Sequence, residues 1–302
     1  MSRKIPPLPI TGVGSLPKGF SRQAMEDVFS LDIPYLPTFP QMGGAETFLG
    51  QLEIQEDAAP GVWSRLEAWK PWLERVAALS PPVVKWQWPG AIAMAQALTH
   101  AGRRGEYPAF ARRWKENIQS ILEALADLPS DLCFFFDEPG LGNPIEDAEL
   151  EKASWWTMEE GFRLLKERGV AGGIHCCGSV PWFGIGIRPL PVQILQWDWE
   201  REGRHLKDFT TEVKNWFQGD RTFGLGVVPT RLPEDWNPAA VVEEVLEVFS
   251  AIFGPEKSAE ILARCWLSPA CGLGTRSVED ATAVFSALRQ LRQALCRSLH
   301  LK

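Results

Sequence analysis

The alternation of apolar and polar positions divides the chain into short apolar runs that end in turns and longer stretches with helical spacing. Val83 to Gly90 reads as a strand, and Leu132-Cys133-Phe134-Phe135-Phe136 is the uninterrupted apolar run that a parallel strand covered on both faces requires. Further strands are expected running into His175, over Val192 to Glu200, over Thr222 to Val228, and near Ala263 to Leu267. Two more open the chain. Pro9 to Pro17 is an apolar run interrupted by Gly12 and Gly14, and Ile33 to Pro37 is kept extended by its prolines. Helical spacing predicts helices at Ser21 to Phe29 with Ser21 as its cap, at Ala91 to His100, and over about 107–127, where Phe110, Trp114, Ile118, Ile121, Leu122 and Leu125 form one stripe. Others are expected at about 155–168, 205–217 and 237–253, and from Val278 to about Leu299. Residues 43–80 read as an irregular loop leading into one or two helices, and an irregular stretch passes through Pro181 and Trp182.

Strands near residues 10, 34, 84, 134, 173, 195, 225 and 265 number eight, each followed by helical or loop sequence. Eight such repeats predict an α/β protein, a (β/α)8 TIM barrel in a single domain over residues 1–302. In that fold chemistry gathers at the C-terminal ends of the strands. Ser15, Asp137, His175, Asp198 and Cys271 all fall at such ends.

Composition narrows the function classes. A formal charge of −7 leaves no electrostatic footprint for nucleic acid. No stretch approaches the roughly 18 apolar residues of a membrane span. The first residues, Met1 to Pro7, are broken by prolines before any apolar run, which argues against a signal peptide and for a cytoplasmic protein. In a reducing compartment the six cysteines read as core residues and metal ligands, not as a disulfide framework. Fourteen tryptophans are many for this length. Trp86 with Trp88, and Trp197 with Trp199, are spaced as neighbours on one strand face; packing is the expected role of most, with cavity lining the alternative.

The candidate chemistry lies in Gly172-Gly173-Ile174-His175-Cys176-Cys177-Gly178 and its distant echo Ser268-Pro269-Ala270-Cys271-Gly272-Leu273-Gly274. Buried cysteines are often plain core residues, but each cluster ends in a glycine-rich turn, where sites are built. Imidazole and thiolate are zinc ligands. On an extended backbone His175 and Cys177 point the same way and Cys176 the other. Cys271 would complete a trio. The carboxylate of Asp198 could take the fourth position, with Glu200, on the same strand face, as the alternative. Asp137 and Glu138, at the end of their strand, require a polar cavity, and Gly14 would let the backbone approach a ligand closely. Ligands drawn from separate strands indicate catalysis, and a zinc carrying two sulfurs suits holding a substrate thiol as its thiolate. Alkyl transfer to a thiol is the reaction class this predicts.

Thr11-Gly12-Val13-Gly14-Ser15-Leu16-Pro17, Phe136-Asp137-Glu138-Pro139, His175-Cys176-Cys177-Gly178 and Pro269-Ala270-Cys271-Gly272-Leu273-Gly274-Thr275-Arg276 together resemble the catalytic barrel of cobalamin-independent methionine synthase, in the uroporphyrinogen decarboxylase/methionine synthase-like superfamily. The resemblance implies that His175, Cys177 and Cys271 bind Zn2+, with Asp198 standing where the family has a glutamate. It implies that Ser15 and Asp137 hold the amino-acid part of homocysteine and that Glu46 grips the same substrate. The sequence departs from the family in lacking the folate-handling N-terminal half and in having Pro89-Gly90 where the family has a Gly-Pro turn. A short form of this kind implies a methylated corrinoid (methylcobalamin), carried on a separate corrinoid protein, as methyl donor, with methyltetrahydrofolate as the alternative. The rival readings are a metal-independent decarboxylase using Asp137 and Glu138, and a non-catalytic corrinoid- or thiol-binding barrel.

Overall fold

The computed structural model describes residues 5–17, 21–47, 50–51, 62–180, 182–183 and 190–301. Met1 to Lys4, Pro181 and parts of the 43–80 loop, on which sequence expectations were placed, lie outside these.

Six strands form one all-parallel sheet in sequential order: β1 (Val83–Pro89), β2 (Asp131–Asp137), β3 (Ala171–Cys176), β4 (Ile194–Asp198), β5 (Thr222–Val228) and β6 (Trp266–Pro269). The apolar runs set them. Phe134, Phe135 and Phe136 are fully buried because β2 is covered on both sides. On the outer side Phe136 meets Trp114 at 4.9 Å and Phe162 at 5.0 Å, from the helices Tyr107–Ala124 and Ala148–Glu167. Each such side chain contributes about 1.5–3 kcal/mol by burial. On the inner side a smaller cluster of Ile33, Cys133, Phe135, Ile194 and Trp266 plugs the curl of the sheet.

The expected closed eight-stranded TIM barrel is not what forms. The fold is α/β, but its sheet is a curled half-barrel of six strands. The two opening segments add single parallel bridges, Ile10 with Leu267, Thr11 with Ile33, Ser15 with Thr38 and Tyr35 with Lys85, in place of ladders. Prolines 9, 17, 34 and 37 explain this, since each removes a backbone donor and interrupts pairing. Ile10 gives its N–H to the Asp32 carboxylate instead, at 2.9 Å.

Helix boundaries follow their caps. Ser21 accepts from the N–H of Ala24 to start Arg22–Phe29, Asn237 starts Pro238–Phe253, and Ser277 forms a reciprocal capping box with Asp280 ahead of Val278–Ser298. The helix expected at about 155–168 begins earlier, at Ala148, and that expected at about 205–217 is a 3-10 stretch, Arg204–Phe209, followed by a helix, Thr210–Trp216. Two further differences lie at strand ends. Ala263 belongs to a helix, Pro255–Arg264, and β6 begins only at Trp266. β4 ends at Asp198, which caps the short helix Trp199–Glu202, so Glu200 is not a strand residue and does not share a strand face with Asp198. Among the described residues no helix is long and apolar enough to cross a membrane.

Candidate metal centre

Parallel register lines up the strand ends. Pro89 pairs with Asp137, Asp137 with His175, and His175 with Gln196, which places a row of polar side chains on the inner face above the apolar plug. His175 is 3% exposed, and among the described residues neither of its ring nitrogens has a hydrogen-bond partner. Buried polar atoms are ordinarily paired, so an orphaned imidazole needs an occupant. The ligand atoms of His175, Cys177 and Cys271 all lie within 4.8 Å of one another. A tetrahedral zinc holds nitrogen and sulfur donors roughly 3.4–3.8 Å apart, from bond lengths of about 2.0–2.3 Å. The trio would close by at most about 1 Å to hold one ion, so the donor set fits zinc.

The electrostatics of the trio favour one thiolate. A hydrogen bond from Cys271, together with His175, holds the Cys177 thiol well below its ordinary value despite burial. The same bond to Cys177, then burial, pushes Cys271 up. Cys176, in contrast, is fully buried in the outer core with its sulfur toward the carbonyls of Pro139 and Gly178, and burial pushes its thiol to about 12.

The other sequence candidates are distributed around the trio. Asp137 is half-buried, and its Oδ1 is buried with no partner among the described residues; desolvation raises its carboxyl to about 6, opposed by His175 and Lys85. Asp198 lies outside the 4.8 Å group. Its Oδ1 accepts from the N–H of Glu200 at 3.1 Å and its Oδ2 pairs with Arg201 at 3.3 Å, while burial raises its carboxyl. Glu200 is exposed. Ser15 Oγ accepts from the N–H of Gly274 at 3.1 Å, tying the first motif to the last. A Cβ at Gly14 would meet the side chain of Gln87 at 2.7 Å, so Gly14 serves close packing here. Glu46 is consumed by backbone: its oxygens accept from Phe39 N–H at 2.7 Å and Glu67 N–H at 2.6 Å. Glu138, likewise, accepts from Ile92 and Ala93 at the start of helix Ala91–His100, and burial raises its carboxyl to about 8.

Sequence reasoning missed Lys85. It is fully buried, and its ammonium donates to the carbonyls of Gly12 at 2.9 Å and Val13 at 2.6 Å, approaches Gln196 Oε1 at 3.5 Å, and sits 4.4 Å from the centre of the Phe135 ring. The signal was the alternation in Val84-Lys85-Trp86-Gln87-Trp88, which turns Lys85 and Gln87 inward and both tryptophans toward the helices.

A cavity of about 690 Å³ opens onto Cys177, Asp198 and Cys271. Its wall includes Trp199, Trp236 and Arg276; Ser15, Glu46 and Asp137 do not line it. Of the paired tryptophans, Trp86, Trp88 and Trp197 pack in the core, and Trp199 alone lines this space.

No protein-family model matches the chain, and no curated protein sequence does. Among solved structures, an endo-β-mannanase/endo-β-glucanase of Prevotella bryantii aligns with 94% of this chain and 47% of its own, at 13% identity and a TM-score of 0.38, too low to carry weight. A methyltransferase from Methanosarcina mazei aligns with 95% of this chain and 94% of its own, at 11% identity and a TM-score of 0.55. The chain thus shares its fold with a methyltransferase of nearly the same extent.

Proposed function

We propose that this protein is a zinc-dependent methyltransferase that passes a methyl group to a thiol, homocysteine foremost, from a methylcorrinoid or methylfolate donor. The observation that carries the reading is the convergence of His175, Cys177 and Cys271, two segments far apart in sequence, within 4.8 Å at the edge of a cavity. The fold shared with a methyltransferase agrees with it.

His175, Cys177 and Cys271 would hold the zinc, and Asp198, which lines the same cavity as Cys177 and Cys271, is the candidate for a fourth ligand on release from Arg201. Bound zinc would keep the substrate sulfur deprotonated at neutral pH, and the thiolate is the nucleophile. The chain's own part is to bind and orient. Asp137, half-buried beside His175 with a buried, unpartnered Oδ1, would receive a substrate ammonium. Ser15, fixed by Gly274, would position the same end of the substrate.

Metal analysis tests the site directly. Zinc that copurifies with the wild type and is lost in Cys177→Ser and Cys271→Ser supports the reading, and metal-free protein with full activity overturns it. X-ray absorption should show a further sulfur at the metal when homocysteine is added. Turnover with methylcobalamin but not methyltetrahydrofolate would identify a methylcorrinoid as the donor, and the reverse a methylfolate.

A further inference from the structure

The cavity wall carries three arginines, Arg201, Arg204 and Arg276. Two are neutralised in place. Arg201 pairs with Asp198 at 3.3 Å, and Arg204 with Glu244 at 2.8 Å. Arg276 differs. Its Nε donates to Thr230 Oγ1 at 3.0 Å, and among the described residues no carboxylate forms an ion pair with it. Half-buried, Arg276 lines the cavity, and among the described residues the terminal nitrogens of its guanidinium have no hydrogen-bond partner.

Its position is also fixed in advance. Arg276 N–H donates to the Leu273 carbonyl at 2.9 Å, Gly274 is held by Ser15 and by Gln41, and the segment begins at Cys271 itself. A rigid turn thus connects a metal-ligand candidate to an unneutralised guanidinium, both on one cavity. A planar guanidinium held by one nitrogen leaves its remaining fork for a bidentate anion, and such charge-assisted pairs gain most where water is partly excluded. The volume of about 690 Å³ is that of a small-molecule site.

We propose that Arg276, oriented by Thr230, is the recognition point for an anionic group, of carboxylate type, on a substrate that occupies this cavity. The identity of that substrate rests on the thiol-methyltransferase reading; the anion specificity rests on the cavity alone. Two substrates could bring the anion, the thiol acceptor or the methyl donor, and binding measurements separate them.

Calorimetric titration of the zinc-loaded full chain with 3-mercaptopropionate and with the uncharged 2-mercaptoethanol compares an anionic with a neutral thiol. The wild type should prefer the former, and Arg276→Gln should lose about 10- to 100-fold in affinity for it while leaving 2-mercaptoethanol unchanged, as expected for one charged hydrogen-bonding pair. Thr230→Val should lose less, in the same direction. Zinc content and circular dichroism equal to wild type establish that the variants fold. A parallel titration with 5-methyltetrahydrofolate assigns the anion to the donor if Arg276→Gln weakens only that ligand. Unchanged affinity for both anionic ligands overturns the role of Arg276, even if both thiols still bind at the metal. Failure of the wild type to bind either thiol, with folate binding still dependent on Arg276, overturns the thiol reading and leaves the anion site standing. Binding of none of these ligands overturns both.

Discussion

Replacing Lys85 with methionine should change stability by an amount that depends on pH in a defined direction. Burial lowers the Lys85 amine from 10.5 to about 8, with the charges of Asp137 and Cys133 opposing the shift. The unfolded chain keeps its proton to about pH 10.5, so between about pH 8 and 10.5 the unfolded state binds more protons than the folded one. Wild-type stability therefore rises with pH across that window, by about 3 kcal/mol for the full shift, and this linkage is flat below it. Lys85→Met removes the linkage. It also removes the donors to the buried carbonyls of Gly12 and Val13, at about 1–3 kcal/mol each. Near pH 7 the lost bonds and the relief from burying a charge nearly offset, so the variant should lie within about 2 kcal/mol of wild type. Toward pH 10.5 the wild type should pull ahead by about 3 kcal/mol more. Urea denaturation of both proteins at pH 7, 8, 9 and 10 gives the difference, in which the titration of other groups cancels. A difference constant to within about 1 kcal/mol over this range would refute the assignment of Lys85 as a buried, charged staple.

Cys176→Ala should leave zinc content unchanged while Cys177→Ala abolishes it, checked by atomic absorption; equal loss in both would mean the wrong sulfur faces the metal. Gly90→Ala should cost about 1–3 kcal/mol by thermal melting, because the added Cβ would sit 2.0 Å from Glu138 Oε1 and push that carboxylate off Ile92 and Ala93. Glu46→Gln should lower stability by about 1–3 kcal/mol, through loss of one of two backbone acceptors, with no change in KM for the thiol. An unchanged melting temperature with a raised KM would return Glu46 to the substrate site.

The sheet and the metal trio differ in how far the sequence reveals them. β2 was legible because three consecutive phenylalanines have no other place than between two layers, and β5 because Thr222 to Val228 is fully buried along its length. The opening strands were not legible, since an apolar run says nothing about whether its neighbours will ladder or meet at one residue, and the prolines decided for the latter. His175, Cys177 and Cys271 were legible because donor chemistry, strand-end position and a motif resemblance all fall on the same residues. Glu200 was misplaced because a carboxylate such as Asp198 can end a strand by capping a helix, a choice that hydrophobic periodicity does not record. Lys85 was overlooked because a lysine reads as surface, although the tryptophans on either side already fixed which way it must point.

The bond between Ser15 and Gly274 spans 259 positions of the chain, and Pro9, Ile10 and Thr11 lean on Leu267 in the same way. During synthesis, therefore, the segment around Pro9 to Ser15 is made before the sheet yet settles after it. Until Leu267 emerges it has no β6 to rest against, whereas each strand from β1 to β5 pairs with the next strand in sequence. Loop closure over so long a span is slow and entropically costly. A nascent chain halted before residue 265 would hold most of its sheet yet lack Cys271, Arg276 and the docking edge for the Pro9 to Ser15 segment together, so assembly of the candidate site is coupled to synthesis of β6 and the turn after it.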